Sequence, residues 1–447
     1  MEPLSLKSGT NEEADGGYGL LISVSEREDG LVLYYKIQAL PLHRDPGFYN
    51  VSCRMSSDGS RKIQELSSQK RGSGYRSSFS GKVATVFGST GLLGKVISNR
   101  LGKIGSQIVI PYRGEQYNYF PLKMCGDLGQ VLFSSYHLKD DESILKAMKY
   151  SDIVINAIGR EWETKNFKFM DVNVHGPERI ARLAKQAGVK RFVHISSINA
   201  RENPDRAFLP RGSRWLQTKW QGENAVLEAF PEATIFRAAD IYGHQDSFIN
   251  HYASRVRLSS VNFRALPLWK KGEHTLKAPV HVSDLTTGIM NAIDDESTKG
   301  VTYEAYGPEI YKLSDIVDWM YYYMNKDAAN WDYRRSDLRF DPTVFAKALF
   351  FQSMPFGQQF YAKMGLDKIE KMSISDDILG LPNLEDLGVS PGTIAEKMPP
   401  HLAVWKHALH HIDVSFYREM PKIPVVQHYQ AKEMINESRK PLLETLL

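Results

Sequence analysis

The sequence predicts an α/β protein, a Rossmann-type doubly wound parallel sheet with a smaller mixed or helical carboxyl-terminal portion. Three observations carry that prediction. Short apolar runs rich in β-branched residues recur from Val83 onward, each long enough for a buried strand and too short for a helix. Segments with apolar residues at helical spacing separate them. The first run passes straight into a glycine-rich turn and a helix, the context that a dinucleotide fingerprint requires.

The first strand is Val83-Ala84-Thr85-Val86-Phe87. It runs into Gly88-Ser89-Thr90-Gly91-Leu92-Leu93-Gly94, after which Leu93, Val96, Ile97, Leu101 and Ile104 recur at helical spacing. The three glycines act differently. Gly88 permits the tight turn, Gly91 lets a pyrophosphate approach the backbone, and Gly94 lets the helix pack closely on the strand. The phosphate would then sit on free N–H groups at the positive end of the helix. Without a ligand the same glycines would read as a structural turn.

The second strand, Gln107 to Pro111, ends in Tyr112-Arg113. A site selective for NAD places an acid about twenty residues beyond the glycines to bind the ribose 2′-hydroxyl, and Arg113 stands about there instead. A guanidinium suits a 2′-phosphate, which favours NADP(H); a solvated surface arginine is the other reading. Val131-Leu132-Phe133 continues as a strand, Glu142 to Tyr150 as an amphipathic helix, and Ile153-Val154-Ile155 as a strand leading into Asn156-Ala157-Ile158-Gly159-Arg160. Asp171 to Ala187 reads as a helix stopped by Gly188, whose missing side chain permits a left-handed cap. Phe192 to Ile195 is a further strand, ending in Ser196-Ser197. Such alternation implies a parallel sheet covered on both faces, with ligands outside the carboxyl ends of the strands.

Length and charge bound the rest. At 447 residues, 42% of them hydrophobic, the chain can bury one large domain or two moderate ones. Two cysteines, Cys53 and Cys125, cannot build a disulfide framework and fit a reducing compartment. The +4 balance is only mildly basic, which on its own supports neither nucleic acid nor an acidic partner. No run approaches a transmembrane helix; the nearest, Val344 to Phe356, contains Lys347 and Gln352. The charge is split, however. Residues 1–50 carry four Lys/Arg against eight Asp/Glu, whereas Arg54 to Lys82 carries seven basic residues, two acids and nine serines. The organisation expected is therefore an acidic extension (1–53), a basic Ser-rich segment that is presequence-like or a disordered linker (54–80), a dinucleotide-binding domain (81–325, with a second subdomain inserted from about 244), and an aromatic-rich region (326–447).

These residues resemble the short-chain dehydrogenase/reductase superfamily, particularly its extended and atypical branch. GSTGLLG at Gly88 to Gly94, NAIG at Asn156 to Gly159, HISS at His194 to Ser197, FRAADIYG at Phe236 to Gly243 and PVHVSDL at Pro279 to Leu285 carry the likeness. Active members pair a serine after the fifth strand with a tyrosine four residues before a lysine. The matching stretch here is Trp215-Leu216-Gln217-Thr218-Lys219. An indole offers a neutral N–H donor and no group that ionises usefully near neutral pH, so proton transfer by tyrosine is missing. Lys219 is then a ribose contact or an exposed helical lysine, and Ser196 a cofactor contact or a strand-end cap. His194, inside a strand, reads as a core histidine.

A denser likeness, in SGKVATVFGSTGLLG, LGKIGSQIVIPYRGEQY, MCGDLGQVLF and VINAIGREWETKNFKFMDVNV, resembles a family of accessory subunits of mitochondrial NADH:ubiquinone oxidoreductase, respiratory complex I. It extends from about Gly74 to the segment Leu384 to Gly388. What the resemblance implies is a peripheral, matrix-side subunit at the junction of the arms, holding a tightly bound NADPH that it does not turn over. Its partners would be other complex I subunits and the membrane surface, with no nucleic acid, no homo-oligomer and no metal. Residue by residue it assigns Gly88, Ser89, Thr90, Gly91, Leu92, Leu93 and Gly94 to the pyrophosphate and Arg113 to the 2′-phosphate. Asn156, Ala157, Ile158 and Gly159 fall on the adenosine-ribose side, Ser196 and Lys219 on the nicotinamide side. The first fifty residues have no counterpart in that family, so the expectation is an unusual targeting signal or a true start downstream, as at Met55.

Two competing readings remain: an active NADP-dependent reductase or epimerase using another acid, and a single-stranded RNA binder drawing on basic and aromatic residues. In the carboxyl-terminal half, Val280-His281-Val282 is expected as the return strand, and Ser314 as the cap of a helix burying Ile316, Val317, Met320, Tyr321 and Met324. The aromatic residues from Trp331 through Phe345, Phe350, Phe351, Phe356, Phe360 and Tyr361 read as an interface or as a small core. His407, His410 and His411 share a helical face without an accompanying carboxylate motif, which is a weak metal pattern.

Overall fold

The computed structural model describes residues 80–254, 258, 264–326, 332–353, 365–406 and 420–439, all within the compact unit Ser60–Leu447. The acidic and basic amino-terminal segments, the histidine triplet, Trp331, Phe356, Phe360 and Tyr361 lie outside the described residues.

Strand β1 (Val83–Phe87) buries all five of its side chains, as a strand covered on both faces must. Helix α1 (Leu92–Lys103) follows and turns Leu93, Ile97 and Leu101 inward. Burying each such aliphatic side chain contributes about 1.5–3 kcal/mol. Strands β2 (Gln107–Tyr112) and β3 (Val131–Ser135) continue to one side. After α2 (Asp141–Met148), the chain crosses back to β4 (Ile153–Asn156) on the other side of β1. Helix α3 (Gly176–Gln186), β5 (Arg191–Ser197), α4 (Arg214–Ala229) and β6 (Thr234–Ala238) extend that side.

Beyond β6 come α5 (Phe248–Ala253) and α6 (Val282–Asp294), then β7 (Thr302–Ala305), which closes the sheet. The order is β7-β6-β5-β4-β1-β2-β3, and every pairing in it is parallel. Connections leave β1 and β4 in opposite directions, so a crevice opens at their carboxyl ends.

Two expectations are corrected. The return strand is β7, not Val280 to Val282: Val280–His281 forms only a two-residue parallel pair with Ile241–Tyr242, and α6 already begins at Val282. Ser314 does not cap its helix either. It lies inside α7 (Leu313–Tyr323), whose N-cap is Lys312 with no side-chain cap bond. The expected apolar face of α7 is buried, and the helix packs into a second core with Tyr242, Phe248, Tyr252, Leu266, Met372, Met398 and Leu402.

That core draws together residues far apart in sequence, so the subdomain after β6 and the carboxyl-terminal region share it. Helices α8 (Pro342–Ser353) and α9 (Leu366–Ser373) belong to this portion, as does α10 (His428–Arg439). The buried Glu304 of β7 accepts N–H bonds from Leu379 and Gly380 at 3.0 and 3.1 Å, while Leu384, Leu387 and Val389 join the core under α6.

Candidate functional site

The crevice is a cleft of about 700 Å³ lined by Gly91 to Gly94, Ala157 to Trp162, Ser196, Trp215 and Lys219 on the sheet side, and by Lys368, Lys371, Met372 and Trp405 on the other. That volume lies within the range of small-molecule and cofactor sites. Gly88 has φ of +81° and Gly94 fits against it so closely that a Cβ at Gly94 would stand 2.3 Å from the Gly88 carbonyl oxygen. The turn therefore needs glycine at both points, one for its backbone angle and one for the helix approach. Gly91 donates to the Gly88 carbonyl at 3.0 Å and is the N-cap of α1, so the first-turn N–H groups carry no side-chain cap. Ser89 is buried, with no hydrogen-bond partner for its hydroxyl among the described residues, while Thr90 is exposed.

The facing loop follows β4. Asn156 is buried; its side-chain oxygen accepts from the Ile158 N–H at 3.2 Å, and its amide nitrogen lies 3.2 Å from His194 Nδ1. His194 is thus the core histidine expected, and burial together with the Lys219 charge holds its pKa well below the ordinary value. Ala157, Ile158 and Gly159 line the cleft, and the Gly159 backbone comes close to the Lys219 ammonium.

Lys219 is not an exposed helical lysine. It is 4% exposed and donates to the Ile195 carbonyl at 3.0 Å. Burial draws its pKa down to about 8, against the pull of Glu223 in the other direction. Ser196 is buried beside it, its hydroxyl unpartnered among the described residues. Trp215 stands in the same cleft, 8% exposed, with its indole N–H donating to the Arg160 carbonyl at 2.8 Å.

Arg113 is exposed and does not line the cleft wall; its guanidinium lies 4.9 Å from the centre of the Phe167 ring. It has a second cation for company. Arg160, half-buried over Trp162, has its pKa lowered by burial and then by Arg113. Sequence reasoning missed Arg160, although it directly follows NAIG.

A buried ladder of charges from distant segments was missed as well. Lys368 reaches Glu161 at 2.9 Å, Lys371 reaches Glu161 at 3.1 Å and Asp240 at 3.3 Å, and Lys277 joins Asp240 to Asp376 at 3.0 and 3.1 Å. Burial pushes the Glu161 carboxyl up, but the two lysines and Ser247 outweigh it and hold the group well below the carboxylate range. No local pattern announces such pairs, because partners on separate segments, up to 210 residues apart, meet only through the fold. Tyr242 is buried against His281 and donates to the Thr393 carbonyl at 3.4 Å, so it is committed to the second core.

The groups present fit a dinucleotide: a tight glycine turn with no room for a Cβ at Gly88 or Gly94, an uncapped helix start, and a buried Ser196 hydroxyl without a partner among the described residues. Solved structures share this architecture. A dTDP-glucose 4,6-dehydratase from Streptomyces venezuelae, solved with NAD and TYD bound, is similar at TM-score 0.52 and 17% identity, over 72% of this chain and 96% of that one. An NADPH-dependent quinone oxidoreductase from Escherichia coli, complexed with NADPH, gives 0.52 and 17%, over 71% and 99%. The NAD dependent epimerase/dehydratase family matches residues 84–306, and with the sheet order and glycine turn this defines the class as an epimerase/dehydratase-type Rossmann protein.

Curated relatives narrow it. The chain is 39% identical over 364 residues to NADH dehydrogenase (ubiquinone) 1 alpha subcomplex subunit 9, mitochondrial, of Mus musculus, covering 80% of this chain and 90% of the relative. It is 35% identical over 327 residues to the NADH-ubiquinone oxidoreductase 40 kDa subunit, mitochondrial, of Neurospora crassa, covering 73% and 80%. The chain belongs to this family of alpha-subcomplex subunit 9 and 40 kDa subunits.

Proposed function

We propose that this chain is a non-catalytic accessory subunit of mitochondrial complex I that keeps NADPH in its cleft as a structural ligand and so supports assembly and stability of the complex. The single observation that carries the reading is Trp215. At the position where a reductase of this superfamily resemblance has its phenol, the chain has an indole that neither ionises nor stands free, its N–H already committed to Arg160. NADPH, when bound, would bring a reduced nicotinamide to the Ser196 and Lys219 end of the cleft, where the chain offers no hydroxyl acid in the tyrosine's place. Gly88 to Gly94 would hold the pyrophosphate, Asn156 to Gly159 the adenosine-ribose side, and Arg113 the 2′-phosphate. A ligand held this way stabilises the fold by mass action, about 2.7 kcal/mol at a hundred times its Kd.

The names of the relatives supply the partners: other complex I subunits, in a mitochondrion. No helix among the described residues is long and apolar enough to cross a membrane. Peripheral attachment to the matrix side of the inner membrane, near the junction of the arms, is part of the same proposal.

A second reading, an active reductase, rests on Asp246. This cleft residue is pushed up to about 6 by burial and could carry a proton near neutral pH. Its carboxylate, however, accepts from the Gly243, Ile249 and Asn250 N–H groups at 3.1, 3.0 and 3.3 Å, which is the work of a helix cap. Isolating the native protein and reading its size, its co-purifying chains and its nucleotide together tests the proposal. Migration within a large assembly carrying other complex I subunits and NADPH is expected; a nucleotide-free monomer contradicts it.

A further inference from the structure

Helix α9 is eight residues long, LDKIEKMS, too short to hold itself in water, so its order depends on what it touches. Those contacts run back to the cleft. Ile374, at its end, packs with Trp215, Leu216 and Phe169. The Lys371 ammonium stands 4.6 Å from the centre of the Trp215 ring and pairs with Glu161 and Asp240. Lys368 pairs with Glu161, and Asp367 accepts the Arg214 N–H at the start of α4, the helix that carries Trp215 and Lys219.

Trp215 has its other end on the nucleotide side, through the Arg160 carbonyl. Arg160 and Glu161 follow Gly159 directly, so one loop presents the cleft wall, the anchor for the indole and the carboxylate for both lysines. A dinucleotide lying between Gly91 to Gly94 and Gly159 would fix that loop, and with it two attachment points of α9. The tryptophan thus stands where it can transmit occupancy as well as block chemistry.

We propose that Trp215 is a positioning residue that couples nucleotide occupancy of the cleft to docking of α9 and the segment after it. This rests on the reading of the cleft as an NADPH site. Coupling of this kind is reciprocal: whatever undocks α9 weakens the nucleotide by the same factor.

Hydrogen exchange of the full chain, with and without saturating NADPH, tests it. Amides of residues 366–374 are expected to gain about tenfold protection on binding, and Ile374→Ala to weaken NADPH by about that factor. Trp215→Phe keeps a ring against Ile374 but loses the bond to Arg160, and should bind NADPH while losing most of the gain. If NADPH binds the wild-type chain and protection of α9 does not change, the coupling is overturned and the NADPH site stands. If NADPH does not bind at all, both fall. A full gain in Trp215→Phe overturns the role of the indole.

Discussion

Lys219 is an ammonium that burial makes costly to keep, and it donates to the Ile195 backbone carbonyl. Its pKa of about 8, against 10.5 for an ordinary lysine, gives stability a particular pH dependence. Between these values the folded chain has released a proton that the unfolded chain still holds, so stability rises with pH across the window. The wild type should therefore gain on Lys219→Met between about pH 8 and pH 10, read from urea midpoints. A flat difference would show that Lys219 stays charged in the fold. Arg113 carries a separate prediction. With Phe167 and Arg160 as its neighbours, Arg113→Ala should weaken NADPH about 10- to 100-fold, the worth of a charge-assisted hydrogen bond, and NADH far less. Equal losses in a titration of both nucleotides would remove the 2′-phosphate assignment.

At the scale of elements, β1, α1 and β4 were legible because their patterns are local. Five buried residues, four of them apolar, a glycine turn and a helical stripe each fit in one window; β1 matches the expected run, and β4 and β5 differ from theirs by no more than two residues at either end. The turn legibility extended to Trp215 and Lys219, since a four-residue spacing survives in any fold. The link from α9 to α4 was not legible. Nothing near Lys368 or Lys371 marks them as cleft residues, because Glu161 and Asp240 arrive from other segments. Val280 to Val282 misled because two valines flanking His281 fit both a short strand and the first turn of a helix. The α4–α9 packing bears on Trp215→Tyr, which should fold, bind nucleotide and remain inert in a carbonyl-reductase assay. Lys371 and Ile374 still close over the ring position. Reductase activity in that variant would show that the rest of the site is intact and that the phenol alone was missing.

For the whole molecule, the charge ladder joins the sheet half of the cleft to the carboxyl-terminal portion through buried and half-buried ion pairs. Lys277 is 1% exposed between Asp240 and Asp376. Removing it as Lys277→Met leaves two buried carboxylates short of a partner and should cost about 3–5 kcal/mol by denaturant unfolding. A cost below about 1 kcal/mol would show that water reaches the cluster. On the proposed reading the fold keeps a dinucleotide cleft, sets Trp215 where a reductase has its phenol, and lines the far side of that cleft with Lys368 and Lys371. The measurement that bears most directly on this is to purify the full-length chain with the nucleotide it retains and follow reduced-nicotinamide fluorescence against a panel of carbonyl compounds. Bound NADPH with a signal that stays constant is the predicted result. Substrate-dependent oxidation at about one turnover per second or faster, an ordinary enzyme rate, would contradict it.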